Sequence, residues 1–273
     1  MSMDKIRESS FLIMENATIK KKGLKTLNKA LALLEFLSIN EKETRKGTGV
    51  SEINEVLHLG LSTIHRMLTT FKMRGYITQN QKTMKYFLGI KLFELSYTVQ
   101  NTKYLIETTK SYLKQLSQSI GETANLAILE GKEVIYIAKI ESSEVLTTNI
   151  KIGARLPANC TALGKILLAF MPEKEFDNLY EDNKVLPSLS PNSITSLKEL
   201  KKQLIKAKEQ GYAIDKEEYR IGVNCVAVPI KDKTGNTIAA ISLTGPASRF
   251  TLEEIEKKRS YIIRISKEIS NNI

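Results

Sequence analysis

From Leu24 onward, apolar residues fall at steps of three and four: Leu24, Leu27, Ala30, Leu31, Leu34 and Leu37. This spacing predicts a first helix buried along that line. A polar loop from Asn40 to Gly49 follows, and then Ser51 is placed to cap a short second helix with Ile53, Val56 and Leu57 on its buried side. Gly60 ends it, and Ser62 is placed to cap a third helix in which Ile64, Met67, Leu68 and Phe71 gather on one face. At 100° per residue the opposite face presents Ser62, Arg66 and Thr69, flanked by His65 and Thr70.

Two short β-prone runs, Tyr76 to Gln79 and Lys85 to Leu88, then surround the polar turn Asn80-Gln81-Lys82-Thr83. Residues 90 to 119 return to helical spacing through Leu92, Leu95, Val99, Leu105, Leu113 and Leu116. From Ala124 the period becomes that of a sheet, with strands expected at Ala124 to Leu129, Val134 to Ile140 and Leu146 to Ile152. Helices are expected from Cys160 to Phe170, stopping near Pro172, and from Leu197 to Gln210, stopping at Gly211. A hairpin, Val226 to Ile230 and Ile238 to Thr244, turns over Asp232 to Asn236, and Thr251 with Glu254 forms a capping box for the last helix. Strands and helices mix here without regular alternation, which indicates an α+β domain rather than a doubly wound sheet.

Charge sharpens this picture. Of the net +11, residues 1–90 hold 15 basic against 8 acidic side chains and the remainder 26 against 22. A basic first third suits a polyanion, whereas a lysine-rich surface that is merely solvated would give the same total. The order of the elements favours the polyanion. Helix, turn, helix and hairpin is the winged helix-turn-helix arrangement, whose second member presents its early residues to base edges of double-stranded DNA. Ser62, Thr63, His65, Arg66 and Thr69 are the expected base-facing residues, and Lys82 and Lys85 of the wing the expected phosphate contacts.

Other classes are less well supported. The longest apolar stretches, such as Ile166 to Met171, are too short for a membrane span, and no signal-peptide pattern opens the chain. Cys160 and Cys225 alone make no disulfide framework or four-cysteine zinc cluster, so a reducing cytoplasm is expected. His58 and His65 are separated by Gly60 and do not form a metal pair. No phosphate-binding glycine loop is present, so neither metal nor cofactor is expected.

Two stretches of the second domain resemble a known family. Leu156-Pro157-Ala158-Asn159-Cys160-Thr161-Ala162-Leu163-Gly164-Lys165, continuing to Leu167-Leu168-Ala169, is similar to a segment of IclR-type transcription regulators. So is Gly211-Tyr212-Ala213-Ile214-Asp215-Lys216-Glu217-Glu218, followed by Gly222-Val223-Asn224-Cys225-Val226-Ala227-Val228-Pro229 and Ile241-Ser242-Leu243-Thr244-Gly245-Pro246. The resemblance covers about residues 24 to 270. It implies a winged helix-turn-helix (24–90), a helical linker (91–104) and a GAF-like α+β effector-binding domain (105–273), while residues 1–23, with Lys20-Lys21-Lys22 and weak periodicity, are expected to form an N-terminal arm. It also implies homodimers or tetramers, hence a near-palindromic operator. Carried over by motif, the effector positions fall at Ala162, Leu163, Asp215, Val223, Cys225, Ser242 and Thr244. The pair Ala162-Leu163 is bulkier than the glycine-alanine of some members, so a ligand as small as glyoxylate is not implied, and the 40–49 loop is longer than the family suggests.

The function expected is therefore a DNA-binding regulator controlled by a small organic acid or related metabolite. Each carried-over residue also has a plainer reading. Cys225 suits a buried strand position, and without a histidine in the second domain it lacks the partner of a nucleophile. Asp215, followed by Glu217-Glu218, suits a solvated acidic turn, whereas Ser242 and Thr244 alternate and so share one face of their strand. The competing class is a small-molecule enzyme or transferase on the second domain, with the winged helix as a structural unit.

Overall fold

The structure is a computed structural model that describes residues 24–44, 46–97, 100–144, 150–181 and 185–273. The expected arm, residues 1–23, lies outside them. The chain divides into two compact units between Gln100 and Asn101.

The first unit contains α1 (Lys25–Thr44), α2 (Val50–Leu57), α3 (Leu61–Met73), the hairpin β1 (Ile77–Gln79) and β2 (Tyr86–Leu88), and α4 (Lys91–Tyr97). Its core joins Leu33, Phe36 and Leu37 of α1 to Ile53 and Leu57 of α2, Ile64 and Leu68 of α3, and Ile77 and Tyr86 of the hairpin. The buried stripe of α1 therefore differs from the expected one: Leu24, Leu27 and Leu31 are exposed, at 76%, 53% and 48%. Apolar residues run almost unbroken from Ala30 to Leu37, so two helical stripes compete, and the one carrying Phe36 turns inward.

The loop after α1 is also shorter than expected, because the helix continues past Asn40. That side chain is buried, and its amide donates to Thr48 Oγ1 (2.9 Å) and Glu52 Oε2 (3.3 Å), which ties the helix to the segment before α2. Neither serine caps as expected. Gly49 precedes α2 and its N–H is bonded to Glu52 Oε2 (3.3 Å). Gly60 precedes α3, and its carbonyl accepts from Thr63 and Ile64. Between them His58 takes a left-handed conformation (φ 48°), closing α2 through its N–H to Asn54 O. Leu59 then drops into the core, so the turn is held by a buried side chain as well as by its backbone.

The second unit contains α5 (Gln100–Ile120), β3 (Thr123–Glu130), β4 (Glu133–Ile140), β5 (Arg155–Pro157), a 3-10 turn (Ala158–Cys160), α6 (Ala162–Ala169), α7 (Glu173–Tyr180), α8 (Leu197–Gln210), β6 (Ala213–Lys216), β7 (Val223–Lys231), β8 (Thr237–Pro246) and α9 (Leu252–Asn271). The strands form one antiparallel sheet in the order β5-β4-β3-β8-β7-β6. Alternation gives the sheet two unlike faces. Leu126, Val226, Val228, Ile241 and Leu243 pack against α5 and α9. The other face carries Ala127, Cys225, Ala227 and Ala240 beneath α6, α7 and α8.

Most of the expected strands and helices are present, with three differences. No strand covers Ile150–Ile152, the described part of the expected third strand; residues 145–149 lie outside the described residues. The strand that pairs with β4 is instead β5, which ends at Pro157 and forms an edge where proline is tolerated. The helix expected from Cys160 begins at Ala162, because Thr161 is extended and caps it, accepting from Gly164 N at 2.9 Å. Finally, α7 and β6 are short elements whose few apolar positions gave no periodic signal.

Candidate DNA-reading and effector sites

The α3 helix turns Ile64, Met67 and Leu68 into the core. Ser62, His65, Arg66 and Thr69 are consequently exposed, and Thr63 is half-buried at their edge. All five expected base-facing residues thus lie along the outer side of one helix. Thr63 and Arg66 also line a cleft of about 630 Å³ with Leu24, Leu27 and Ala30 of the α1 side. Thr70, which flanks the expected set, bonds back to Arg66 O at 2.9 Å.

The two wing lysines differ. Lys82 stands exposed at the tip, where Asn80 Oδ1 accepts from the N–H groups of Lys82 (2.9 Å) and Thr83 (3.0 Å) and fixes the turn. Lys85 is half-buried, and its Nζ is engaged by Glu52 Oε1 at 3.1 Å. A pair this exposed contributes under about 1 kcal/mol, so a phosphate can compete for Lys85, at reduced gain. The sequence shows Asn80 as the first residue of the polar turn but not its role, although an asparagine in that place is a usable signal for these bonds.

In the second unit the strand register collects polar side chains on the face beneath α6. Asp215 of β6 pairs with Cys225 of β7, Cys225 with Thr244 of β8, and Ser242 with Asn125 of β3. Cys225 Sγ lies 3.0 Å from Thr244 Oγ1, and the Asn125 amide donates to Ser242 Oγ and Thr244 Oγ1, both at 3.3 Å. Val223 lies two residues before Cys225 on the same face, opposite Pro246. Ala162 and Leu163 are buried at the N-terminus of α6. The α6 helix sits tight on the preceding turn, since a Cβ on Gly164 would approach Ala158 O to 2.2 Å.

The electrostatics of this face follow from its burial. Cys225 is pushed up to about 12, by desolvation first and by the Asp215 charge second, which favours the neutral thiol over the thiolate. Asp215 is raised to about 7, again by desolvation and then by the Glu218 charge. Opposing this, the Lys165 charge and hydrogen bonds from the backbone N–H groups of Glu218 (2.7 Å) and Tyr219 (3.2 Å) lower it. Asp215 is 2% exposed, so the plainer reading of a solvated acidic turn does not hold. Beside it Lys165 Nζ donates to both carboxylate oxygens of Glu218 (2.6 and 2.7 Å) and to Gln203 Oε1 (2.9 Å).

Three parts of this arrangement went unseen in the sequence: Asn125, the Lys165–Glu218 pair and Gln203. Lys165 and Glu218 both lie inside the quoted motifs, but nothing in their spacing reveals that they meet. Among the described residues no group of three or more metal-ligating side chains exists, and no helix is long and apolar enough to cross a membrane.

Comparison with known proteins agrees with both units. The family described as IclR helix-turn-helix domain matches residues 26–81, and that described as Bacterial transcriptional regulator IclR C-terminal matches residues 98–271. The chain is 35% identical over 239 residues to the HTH-type transcriptional regulator XynR of Escherichia coli, covering 88% of this chain and 93% of that protein. It is 32% identical over 259 residues to KdgR of the same organism, covering 94% and 96%. The crystal structure of the Thermotoga maritima IclR superposes with a TM-score of 0.73 at 31% identity, covering 92% of this chain and 99% of that one.

Proposed function

We infer the division of labour in this chain from one premise: it belongs to the IclR family of bacterial transcriptional regulators, so it is a DNA-binding regulator with an effector-binding C-terminal domain, and not an enzyme. Residues 24–90 read DNA. Ser62, Thr63, His65, Arg66 and Thr69 approach base edges in the major groove while Lys82, and less strongly Lys85, hold phosphates. Residues 91–104 link this unit to the effector domain, residues 105–273. The protein works in the cytoplasm as a homodimer or a pair of dimers, and its operator is a near-palindrome.

The effector is a small organic acid bound on the sheet face beneath α6. The observation that carries this reading is the meeting of Asp215, Cys225, Ser242 and Thr244 on one buried face. The start of α6 supports it. Gly164 N is taken by the Thr161 cap and Lys165 N by Thr161 O, so Ala162 and Leu163 keep N–H groups without acceptors inside the helix, and such groups favour an anion. A protonated Asp215 adds a donor for a carboxylate.

The test is the double variant Ser242→Ala with Thr244→Val. Removing hydroxyls from a site leaves ligand groups unpaired at roughly 1 to 3 kcal/mol each, while no residue of the DNA-reading unit changes. An organic acid that stabilises the native protein in a thermal-shift assay should stabilise the double variant much less. Operator affinity without ligand should stay the same. An unchanged ligand response places the effector elsewhere.

A further inference from the structure

We propose that Asn125 reads a hydroxyl group of the effector, so that the ligand is a hydroxylated small acid rather than a plain one. This rests on the effector site proposed above and adds a residue to it.

Asn125 lies on β3, inside the sheet, and is fully buried. Its Nδ2 lies between Ser242 Oγ and Thr244 Oγ1, at 3.3 Å from each. Its Oδ1 is buried without a hydrogen-bond partner among the described residues. Rotating the amide by half a turn does not remove this defect. Serine and threonine hydroxyls donate or accept equally well, so they would then serve Oδ1 and leave Nδ2 alone. One end of the amide is unmatched in either orientation.

A buried amide left half satisfied is costly, and native interiors retain few such groups. Among the described residues three other buried side-chain atoms share this state: Tyr180 Oη, Asn224 Oδ1 and Thr237 Oγ1. Asn125 differs from them in its company, because both groups that hold its amide belong to the proposed effector set. On this face Lys139 of β4 stands opposite Asn125, and Tyr136 of β4 opposite Ala127. Ala127 follows it along β3, and Ala227 and Ala240 belong to the same layer beneath Ala162 of α6. Because Ser242 and Thr244 both bond this amide, a small molecule held by those two hydroxyls would meet its open end.

The chemistry of that end selects the partner. A carboxylate can satisfy only an open N–H, and a methylene satisfies neither orientation. A hydroxyl donates to Oδ1 or accepts from Nδ2, and so fits both. Sites that hydrogen-bond a substrate hydroxyl discriminate strongly against the analogue lacking it.

Five probes test this on the full-length protein by thermal-shift titration: propionate, lactate and glycerate as one matched series, hexanoate and gluconate as another. The expected result is that a hydroxylated member binds roughly tenfold or more tightly than its plain counterpart. In Asn125→Leu, which keeps the bulk, and in Asn125→Ala, should the leucine not fold, that preference should fall to near unity while the plain acid's response persists. The melting temperature without ligand reports folding of each variant. A wild-type protein that responds to none of the five, or that prefers the plain acids, overturns the proposal. So does a hydroxyl preference that survives in the folded Asn125 variant. If Ser242→Ala with Thr244→Val then abolishes the response, the effector site stands without Asn125. If it does not, the site itself is misplaced.

Discussion

Lys165 and Glu218, 53 positions apart in sequence, form a fully paired ion couple in the interior, with side-chain exposures of 1% and 7%. The pair fastens α6 to the turn after β6, and Glu218 N–H in turn holds Asp215. Two segments that carry proposed effector residues are thereby locked to each other.

Lys165→Met should destabilise the protein by about 3 to 5 kcal/mol, because it leaves the Glu218 carboxylate buried without a counter-charge. Adding Glu218→Leu should recover most of that loss, since a well-packed apolar pair replaces a buried ion pair at little cost. Urea denaturation of the two single variants and the double variant measures both quantities. Equal stability of Lys165→Met and its double variant would show that the charge is not what matters.

Asp215 should make stability depend on pH in a defined direction. Its folded pKa is about 7, above the ordinary 3.8, so below about pH 4 the carboxyl is protonated whether folded or not and imposes no penalty. As pH rises towards 7 the unfolded chain releases the proton that the native state retains, and stability falls until the native carboxyl ionises. Asp215→Asn should remove this slope. It should also flatten the weakening of organic-acid binding expected as pH passes 7, where a second negative charge develops at the site. Denaturation midpoints and thermal shifts at about pH 5 and about pH 8 check both.

The DNA-reading residues should separate by kind. Arg66→Ala should cost roughly 1 to 3 kcal/mol and relax base preference, whereas Lys82→Ala should weaken binding to all sequences and reduce the salt slope by about one. Lys85→Ala should do less than Lys82→Ala, because Glu52 already engages that ammonium. Binding titrations at several salt concentrations distinguish the three. A variant at Arg66 with unchanged affinity and preference would remove it from the base-reading set.

Gly164→Ala should destabilise the second unit despite the higher helix propensity of alanine, which is worth only about 1 kcal/mol. The added Cβ meets backbone of Ala158 rather than a flexible side chain, so α6 must move away from the turn that precedes it. A fall in melting temperature, with a reduced response to an effective organic acid, is the expected outcome. A stabilised variant would show that α6 shifts freely.

What the sequence makes legible is governed by distance along the chain. The Thr251 cap is readable because its partner is Glu254 N, three residues on, and the Gly211 stop because its left-handed φ of 78° is a local property. The face shared by Ser242 and Thr244 follows from alternation alone. Competing local signals explain the errors near α1, where two apolar stripes overlap and Ser51 and Ser62 offered caps that glycines fill instead. The candidate site is another matter. That Asp215 and Cys225 belong beside Thr244 came only through family likeness, because strand register joins residues far apart in sequence. For Asn125 a signal did exist: an asparagine within Ala124 to Leu129, read as strand with a buried face, must find partners across the sheet.

The sheet of the second unit is finished differently at its margins than in its middle. The inner strands β3, β4, β7 and β8 have eight to ten residues, whereas β5 has three and ends in proline and β6 has four. An unpaired strand is a template on which another chain can grow by the same hydrogen bonding. Here β5 covers β4 only from Glu133 to Ile135 and β6 covers β7 only from Asn224 to Ala227, so each margin is stepped rather than one straight ledge. A foreign strand would have to follow that step, leaving one strand for the next partway along.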